Sequence, residues 1–342
     1  MKNKLRVGIA GYGIVGKRRH QFIDTHPQLH TSAVCDQNAN QASTLSKDVG
    51  YCPDYKSLLN EKLDILFVCL SNDMAAEVTI AGLQAGLHVF CEKPPGRNVE
   101  EISQVIACET QHPGLKLKYG FNHRYHDSVR DALEIVKSGD LGKIINLRGV
   151  YGKSKIITFD QDDWRTHRDI AGGGVLLDQG IHMVDLLRLF GGEFTEVNSY
   201  INNSFWNYDV EDNAYALMKT DDGIVAIFHS SATEWRHRFR LEIALQRGNI
   251  ILSGLLSGSK SYGAETLTVV WGNPEEDHGD PKEQMTRYNE DPSWHDEVFE
   301  FADAVINNKS IINGSSDDAL RTMQLVYNIY CADKEWKKKH NL

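Results

Sequence analysis

Three residues of this 342-residue chain carry side chains that could transfer protons or stabilise charge. Lys93 lies in a Glu92-Lys93-Pro94 run, and Asp178 and His182 are four residues apart in a later segment, where a helix would place both on one face. Imidazole titrates near neutrality and can accept a hydroxyl proton, while an ammonium group can stabilise a developing alkoxide. These residue types are therefore candidates for proton transfer and for stabilising negative charge.

The segment that carries Asp178 and His182 is otherwise apolar, so these two side chains need partners if they are buried. Asp185 follows His182 by three residues and could orient it or belong to a buried hydrogen-bond network. Gly172-Gly173-Gly174 precedes the segment, which indicates that the backbone approaches another group closely. We interpret this run as favouring a site, with a structural histidine as the alternative.

A glycine-rich turn near the N-terminus predicts a dinucleotide site. It follows an apolar run and opens a helical pattern. Gly11 permits a tight turn, Gly13 lets the backbone approach a pyrophosphate, and Gly16 allows close packing of helix on strand. The predicted cofactor-binding loop consists of Gly11, Tyr12, Gly13, Ile14, Val15 and Gly16.

An acidic residue, Asp36, ends the second apolar run at the distance that this fingerprint requires. Its carboxylate would accept hydrogen bonds from the adenosine ribose and repel a 2′-phosphate, which favours NAD over NADP. Asp36 could instead be a turn residue, because Gln37-Asn38 follows. Arg18 and Arg19 lie near enough in sequence to leave NADP open.

The first third of the chain alternates strand and helix patterns, which predicts a parallel sheet with helices on both faces. We predict strands at residues 5–10, 31–35, 63–69, 88–91 and 116–121, and helices at about 15–25 and 75–85. This portion, residues 1–121, is expected to be a Rossmann dinucleotide-binding domain.

The remaining chain, residues 122–342, is expected to be an α+β domain for substrate binding and oligomerisation, with a large, mainly antiparallel open sheet. Hairpins are predicted at 220–223 and 246–249. The predicted strands are 144–150, 197–201, 214–219, 224–230, 240–245 and 267–271, and the predicted helices are 129–137, 295–307 and 317–337.

Bulk properties exclude several partners. A formal net charge of −10 disfavours nucleic acid and anionic membranes, and no apolar run is long enough to span a bilayer. No apolar leader precedes the first strand. The six cysteines form no CxxC pair, which argues against a metal site or disulfides and fits a cytoplasmic protein.

Taken together, the glycine-rich turn, Glu92-Lys93-Pro94 and the run from Gly172 to Asp185 resemble the glucose–fructose oxidoreductase, inositol dehydrogenase and MocA family. The similarity covers nearly the whole chain, including Asn122-x-Arg124 and Trp164-Arg165. It implies hydride transfer between NAD(P) and a sugar, inositol or nucleotide-activated sugar, with Lys93, Asp178 and His182 as the catalytic group. It also implies a homodimer or homotetramer packed sheet against sheet. Whether Lys93 or His182 accepts the proton stays open.

The resemblance also extends the candidate site. Further cofactor-binding candidates are Ser71, Asn72, Glu92, Lys93 and Asn122. Many relatives carry Thr-Pro-Asn-x-x-His where this chain has Leu70 to Ala75, so the nicotinamide-side geometry can differ here. Substrate-binding candidates are Lys93, Arg124, Tyr151, Lys153, Trp164, Arg165, Asp178 and His182.

Two alternatives accompany the substrate assignments. The stretch containing Trp164 and Arg165 could be a surface loop, and the cationic cluster from Trp235 to Arg238 with His229 could be a solvated or oligomer-facing strand. At the level of function, the rivals are a non-catalytic sugar or nucleotide sensor and a reductase of a tetrapyrrole. Retention of both Lys93 and His182 favours the enzyme.

Overall fold

A computed structural model describes residues 4–154, 164–257, 262–272, 275 and 279–342. Contacts divide the chain into two compact units. The first consists of Met1–Asn122 with Trp294–Met323, and the second of His123–Ser293 with Gln324–Leu342.

The described strands and helices alternate regularly only in the first third of the chain. The strands are β1 (Leu5–Ala10), β2 (Leu29–Cys35), β3 (Gly50–Cys52), β4 (Ile65–Val68), β5 (His88–Glu92), β6 (Leu117–Gly120), β7 (Ile144–Gly152), β8 (Phe194–Asn202), β9 (Asn213–Thr220), β10 (Val225–Ser231), β11 (Arg238–Leu245), β12 (Gly248–Ser253), β13 (Glu265–Trp271) and β14 (Lys282–Tyr288). The helices are α1 (Ile14–Thr25), α2 (Tyr55–Leu59), α3 (Asn72–Gln84), α4 (Val99–Thr110), α5 (Asp127–Ser138), α6 (Arg168–Ala171), α7 (Ile181–Gly191), α8 (Ser293–Ile306), α9 (Ser316–Ala332) and α10 (Lys334–His340).

In the first unit, six parallel strands form a sheet in the order β3-β2-β1-β4-β5-β6. The strand order reverses at β1, because β2 lies on one side of it and β4 on the other. Strands such as β4, Ile65–Val68, are buried along their whole length, as expected for a parallel sheet covered on both faces. The predicted Rossmann-type sheet is confirmed.

A helix from late in the chain completes the core of the first unit. The ring centroids of Phe67 and Phe90 lie 4.8 Å apart, and Phe301 of α8 meets them edge-on at 5.9 and 5.6 Å. All three rings are buried. Our predicted second domain, 122–342, included this helix. In the structure, Trp294–Met323 belongs to the first unit, because aromatic and acidic side chains of this segment pack against that unit.

The second unit contains an eight-stranded sheet in the order β14-β13-β12-β11-β7-β10-β9-β8. Its neighbouring strands are antiparallel except for β7 and β10, which are parallel. Helix α7 packs on one face of β7, where a Cβ at Gly149 would lie 2.7 Å from Sδ of Met183. The predicted mainly antiparallel sheet is confirmed, and so are the hairpins at 220–223 and 246–249.

Some elements differ from the predictions. The helix predicted at 317–337 is interrupted at Asp333, whose carboxylate caps α10 by accepting hydrogen bonds from the amides of Glu335 and Trp336, both at 3.0 Å. Strand β14, Lys282–Tyr288, was not predicted, because nearly all of its residues are polar and exposed.

Three further observations concern membrane-spanning helices, metal ligands and cysteines. No helix in the described ranges has both the length and the apolarity to cross a bilayer. His, Cys, Asp and Glu side chains form no group of three or more suited to a metal within the same ranges. The six cysteines are free thiols.

Candidate active site

The predicted cofactor residues of the first unit lie along one edge of its sheet. Parallel strands end at the same edge, and each of these strands is followed by candidate residues. In spatial order, Asp36 follows β2, Gly11 to Gly16 follow β1, Ser71 and Asn72 follow β4, Lys93 follows β5, and Asn122 follows β6. Asp36 follows β2 and Lys93 follows β5. At about 4.8 Å per strand spacing, these two strands are about 14 Å apart. The reversal at β1 is where open α/β sheets bind dinucleotides.

Two glycines of the glycine-rich turn are required by contacts within the protein, and the remaining one leaves space for a ligand. A Cβ at Gly11, whose φ is +90°, would lie 2.3 Å from the carbonyl oxygen of Cys69. At Gly16 it would lie 2.0 Å from the carbonyl oxygen of Gly11. At Gly13 it would meet no described atom within 4 Å. The first and third glycines are therefore required by packing, and the second leaves open space at the start of α1, where a pyrophosphate fits.

Asp36 links the second strand to this turn. Its Oδ2 accepts a hydrogen bond from the amide of Tyr12 and its Oδ1 one from the amide of Asn38, both at 2.8 Å. The residue is thus a turn residue and a fixed carboxylate at once. Each carboxylate oxygen has a further lone pair that could accept a ribose hydroxyl.

The two arginines that left NADP open are engaged elsewhere in the first unit. The side chain of Arg19 is fully buried, with Nε 2.6 Å from Oε1 of Glu92 and Nη2 2.6 Å from Oε2 of Glu297. Its guanidinium lies 4.4 Å from the centre of the Trp294 ring, and that of Arg18 lies 4.8 Å from the same centre. A buried, doubly paired Arg19 cannot serve a 2′-phosphate, which supports NAD.

Lys93 lies immediately after β5. Glu92, the last residue of that strand, is held by Arg19, so the backbone that presents Lys93 is anchored from α1. Lys93 is half-buried and the Lys93–Pro94 peptide is cis.

The remaining cofactor candidates lie at the ends of β4 and β6. Ser71 donates a hydrogen bond to Asp73 at 2.6 Å at the start of α3, and Asn72 is the first residue of that helix. Asn122 is buried at the start of a 3₁₀ turn, Asn122–Tyr125, after β6.

In the second unit, Asp178 lies in a π-helical turn, Leu176–Gly180, that leads into α7. The sequence predicted a regular helix here, and this wider turn is the difference; such turns occur often at functional sites. Oδ2 of Asp178 accepts a hydrogen bond from Nζ of Lys153 at 2.8 Å, and Nε of Arg165 lies 3.6 Å from Oδ1. The guanidinium of Arg165 lies 4.3 Å from the centre of the Trp164 ring.

His182 lies in the first turn of α7 and is buried. Its ring stacks on that of His123, with centroids 3.7 Å apart and planes 13° apart. Oη of Tyr151 is 2.9 Å from Nε2 of His123, and the Tyr151 ring lies 6.4 Å from that of His182. His123 was not predicted as a site residue, although its position inside Asn122-x-Arg124 was a signal.

Further polar side chains lie near Tyr151, and of these only His237, in the cluster from Trp235 to Arg238, was named from the sequence. Nε2 of Gln179 donates a hydrogen bond to Tyr262, whose ring lies 5.4 Å from that of Tyr151 and 4.8 Å from that of His237. Burial raises the pKa of both tyrosines, which are therefore neutral phenols at pH 7. Burial, followed by the charge of Lys153, lowers the pKa of His237.

Arg124 has a structural contact. Its Nε and Nη2 donate to Oδ2 and Oδ1 of Asp185 at 2.7 and 2.5 Å, and both side chains are buried. Asp185 of α7 thus binds Arg124, which fits the buried network that the sequence left as one alternative. A direct contact between Arg124 and substrate stays a prediction.

The triglycine run allows close approach of protein groups rather than of a ligand. A Cβ at Gly174 would lie 2.1 Å from the carbonyl oxygen of Glu211, and one at Gly173 would lie 2.2 Å from Oη of Tyr330. The buried carboxylate of Glu211 accepts hydrogen bonds from the amides of Gly174 and Leu176 at 2.8 and 3.0 Å, and from Tyr330 at 2.7 Å. The close approach that the sequence indicated is thus made to Glu211 and Tyr330. That the run marks a functional site stays a prediction.

The fold and these side chains define a two-part, nucleotide-binding oxidoreductase. Residues 5–121 match the oxidoreductase family with an NAD-binding Rossmann fold, GFO/IDH/MocA, and residues 129–251 match the GFO/IDH/MocA C-terminal domain. The chain belongs to this family.

Its relatives include dehydrogenases of sugars. The D-glucoside 3-dehydrogenase of Escherichia coli (strain K12) is 28% identical, with 95% of this chain and 94% of that protein covered. The uncharacterized oxidoreductase YrbE of Bacillus subtilis (strain 168) is 27% identical, with 90% and 89% covered. A levoglucosan dehydrogenase in complex with NADH has the same fold, with a TM-score of 0.85, 19% identity and 98% of each chain covered. The predicted NAD-dependent dehydrogenase function and the NAD cofactor are confirmed at this level.

Proposed function

We propose that this protein oxidises a secondary hydroxyl of a sugar, an inositol or a nucleotide-activated sugar. The observation that carries the proposal is the polar cluster of the second unit, in which Asp178, Lys153 and Arg165 are joined beside neutral phenols. A carboxylate, an ammonium and phenolic hydroxyls provide both the donors and the acceptors that a polyhydroxylated substrate needs.

We assign a separate role to each member of the catalytic group. The glycine-rich turn and Asp36 would hold NAD, which when bound would supply the acceptor for the hydride of the carbinol carbon. His182 accepts the hydroxyl proton, and Lys93 donates a hydrogen bond to the same oxygen and stabilises its developing negative charge. Asp178 binds a neighbouring hydroxyl and balances the charge of Lys153.

Within this substrate class, the ion pairs favour an uncharged sugar or inositol over a nucleotide-activated or phosphorylated sugar. Lys153 and Arg165 were candidates for holding a carboxylate or phosphate, but both lie against Asp178. An anionic group would have to displace that carboxylate. Trp164 remains a candidate for stacking on the sugar ring.

The test is a substrate screen with matched variants. Purified protein is incubated with NAD and a panel of glycosides, inositols and nucleotide sugars, and NADH formation is followed. Lys93→Ala and His182→Ala should each lower kcat by about 100-fold or more, with NAD affinity retained. Lys62→Ala, at an exposed lysine of the first unit, is the control. Normal rates in both active-site variants would refute the assignment, and sugar binding without turnover would indicate a sensor.

We also infer a homodimer or homotetramer that packs through the open face of the second sheet. Tyr200, Leu217 and Ile227 expose 76, 49 and 50% of their surface on adjacent strands, a contiguous apolar area typical of an interface. Leu217→Glu should dissociate the oligomer in light scattering. Ile312→Glu, at a 79% exposed apolar residue of the first unit, should not. A monomeric wild-type protein would contradict the inference.

We propose a cytoplasmic location, because the chain carries six free cysteines and no disulfide in its described parts. Detection of the protein in an extracellular fraction would contradict this.

A further inference from the structure

Among the described residues of the second unit, the closest aromatic stack joins two histidines. The rings of His123 and His182 lie face to face at 3.7 Å, and each side chain is only 6% exposed. Each imidazole therefore covers one face of the other and keeps water from it. Protonation of one ring therefore affects protonation of the other, which would not be so for an isolated histidine.

Charged and titratable groups lie on several of the elements around the stack. The His126 ring meets that of His123 edge-on at 5.5 Å, and its Nδ1 lies 2.9 Å from Oε2 of Glu265. The flanking groups and their contacts are Tyr151 on His123, Asp178 with Lys153 one turn before His182, and Asp185 with Arg124 one turn after it. Each of these carboxylates already bonds a cation or a histidine.

Charge repulsion makes the stack take up one proton far more readily than two. Two imidazolium rings at this distance, with water excluded from the shared face, repel strongly. Coupled groups of this kind titrate as a pair, so the first proton is shared between the rings. While it resides on His123, His182 stays neutral.

Tyr151 is suited to both states of His123. Burial raises the pKa of Tyr151, so it stays a phenol. A hydroxyl can donate to Nε2 of a neutral imidazole or accept from Nε2–H of a protonated one. The 2.9 Å contact therefore persists whichever ring of the stack holds the proton.

We propose that His123 is a positioning residue for His182: its ring fixes the plane of the His182 imidazole, and its share of the proton keeps His182 available as a base at lower pH than a lone histidine. This inference rests on the proposed function of His182 as proton acceptor. It adds a residue that the family motif does not include.

The experiment is a histidine-selective NMR titration of the full-length protein without NAD or substrate, paired with the pH profile of kcat/KM. In His123→Phe, the new ring covers the same face of His182 but cannot titrate. His182 should then take up its proton about one pH unit higher than in the wild type, and the acid limb of the profile should move by the same amount. His26→Phe, at a buried histidine packed on Phe299 in the first unit, should move neither.

Two further results complete the test. His123→Gln removes the stacking ring, so kcat on the plateau should fall about tenfold while it is retained in His123→Phe. Independent titration of the two histidines in the wild type, or an unchanged His182 titration in both variants, would overturn the inference. Because NMR reads the pair directly, this outcome is distinguishable from failure of the proposed function, which is full turnover by His182→Ala.

Discussion

Nζ of Lys153 lies 2.8 Å from Oδ2 of Asp178, which joins strand β7 to the π-helical turn that precedes His182. Arg165 approaches the other carboxylate oxygen from a separate segment. One carboxylate thus fixes two cations near the proposed base, and the side chains are only partly exposed. The positions of the Lys153 and Arg165 side chains therefore depend on the charge of Asp178.

Neutralising Asp178 should therefore impair catalysis more than binding of NAD. Asp178→Asn keeps the shape of the side chain but removes the negative charge that Lys153 and Arg165 face, and we expect kcat/KM to fall about 100-fold. Steady-state kinetics measures this, with Asp222→Asn in the exposed turn after β9 as the control. A loss of less than twofold would show that Asp178 has no part in the reaction.

The glycine-rich turn permits a comparison between two neighbouring substitutions. Gly16→Ala places a Cβ 2.0 Å from a carbonyl oxygen and should destabilise the protein by about 1–3 kcal/mol. Gly13→Ala meets no described atom within 4 Å and has a backbone φ of −74°, which alanine adopts readily. The stability of Gly13→Ala without cofactor should be unchanged. Its NAD dissociation constant should rise at least tenfold, which corresponds to a loss of about 1.4 kcal/mol of binding free energy.

Thermal unfolding with and without NAD, together with a binding titration, separates these two effects. If Gly13→Ala binds NAD normally, the pyrophosphate does not approach the backbone at Gly13.

The buried pair of Arg124 and Asp185 should contribute to stability rather than to substrate affinity. Arg124→Met removes the cationic partner of a buried carboxylate and should lower the free energy of unfolding by about 3–5 kcal/mol. The double variant Arg124→Met with Asp185→Leu should recover most of this loss, because no charge then remains buried. Urea unfolding measures both, and KM is determined in parallel. A raised KM in the double variant at normal stability would instead support a substrate contact by Arg124.

Glu297 should make stability depend on pH. Its side chain is fully buried, and burial raises its pKa to about 7 against the opposing influence of Arg19 and Lys118. In the unfolded chain the carboxyl titrates near 4.5. Between these values the folded state binds a proton that the unfolded state releases, so the stability contributed by this group is complete below pH 4.5 and is lost as pH rises towards about 7.

Glu297→Gln removes this dependence. Relative to the wild type, the free energy of unfolding of the variant should therefore improve by about 2–3 kcal/mol between pH 5 and pH 8. Chemical denaturation at the two pH values measures it, with Glu100→Gln at an exposed position of α4 as the control. A difference that is equal at both pH values would show that Glu297 is ionised throughout.

Local patterns predicted the parts of the molecule that depend on neighbouring residues. The turn at Gly11, Gly13 and Gly16 could be predicted from the sequence, because each glycine is needed for a local arrangement of strand, turn and helix. Asp36 was readable because it ends a strand at a fixed distance from that turn. The alternation of strands and helices likewise gave the sheet of the first unit.

Contacts between distant residues were not readable in the same way. The Asn122-x-Arg124 run draws attention to this segment, but it does not indicate that the His123 ring stacks on His182, because that contact joins the turn after β6 to α7. The partners of the triglycine run, Glu211 and Tyr330, lie far along the chain as well. The apolar residues of α8 gave no sign of which sheet they would cover.

The placement of α8 has a consequence for synthesis on the ribosome. The nascent chain emerges from its N-terminus, so Phe67, Phe90 and Arg19 are made long before Phe301 and Glu297, which complete their surroundings. Residues 123–293 are translated in between. The nucleotide-binding part must therefore wait, with an unfinished interior, until nearly the whole polypeptide has left the exit tunnel.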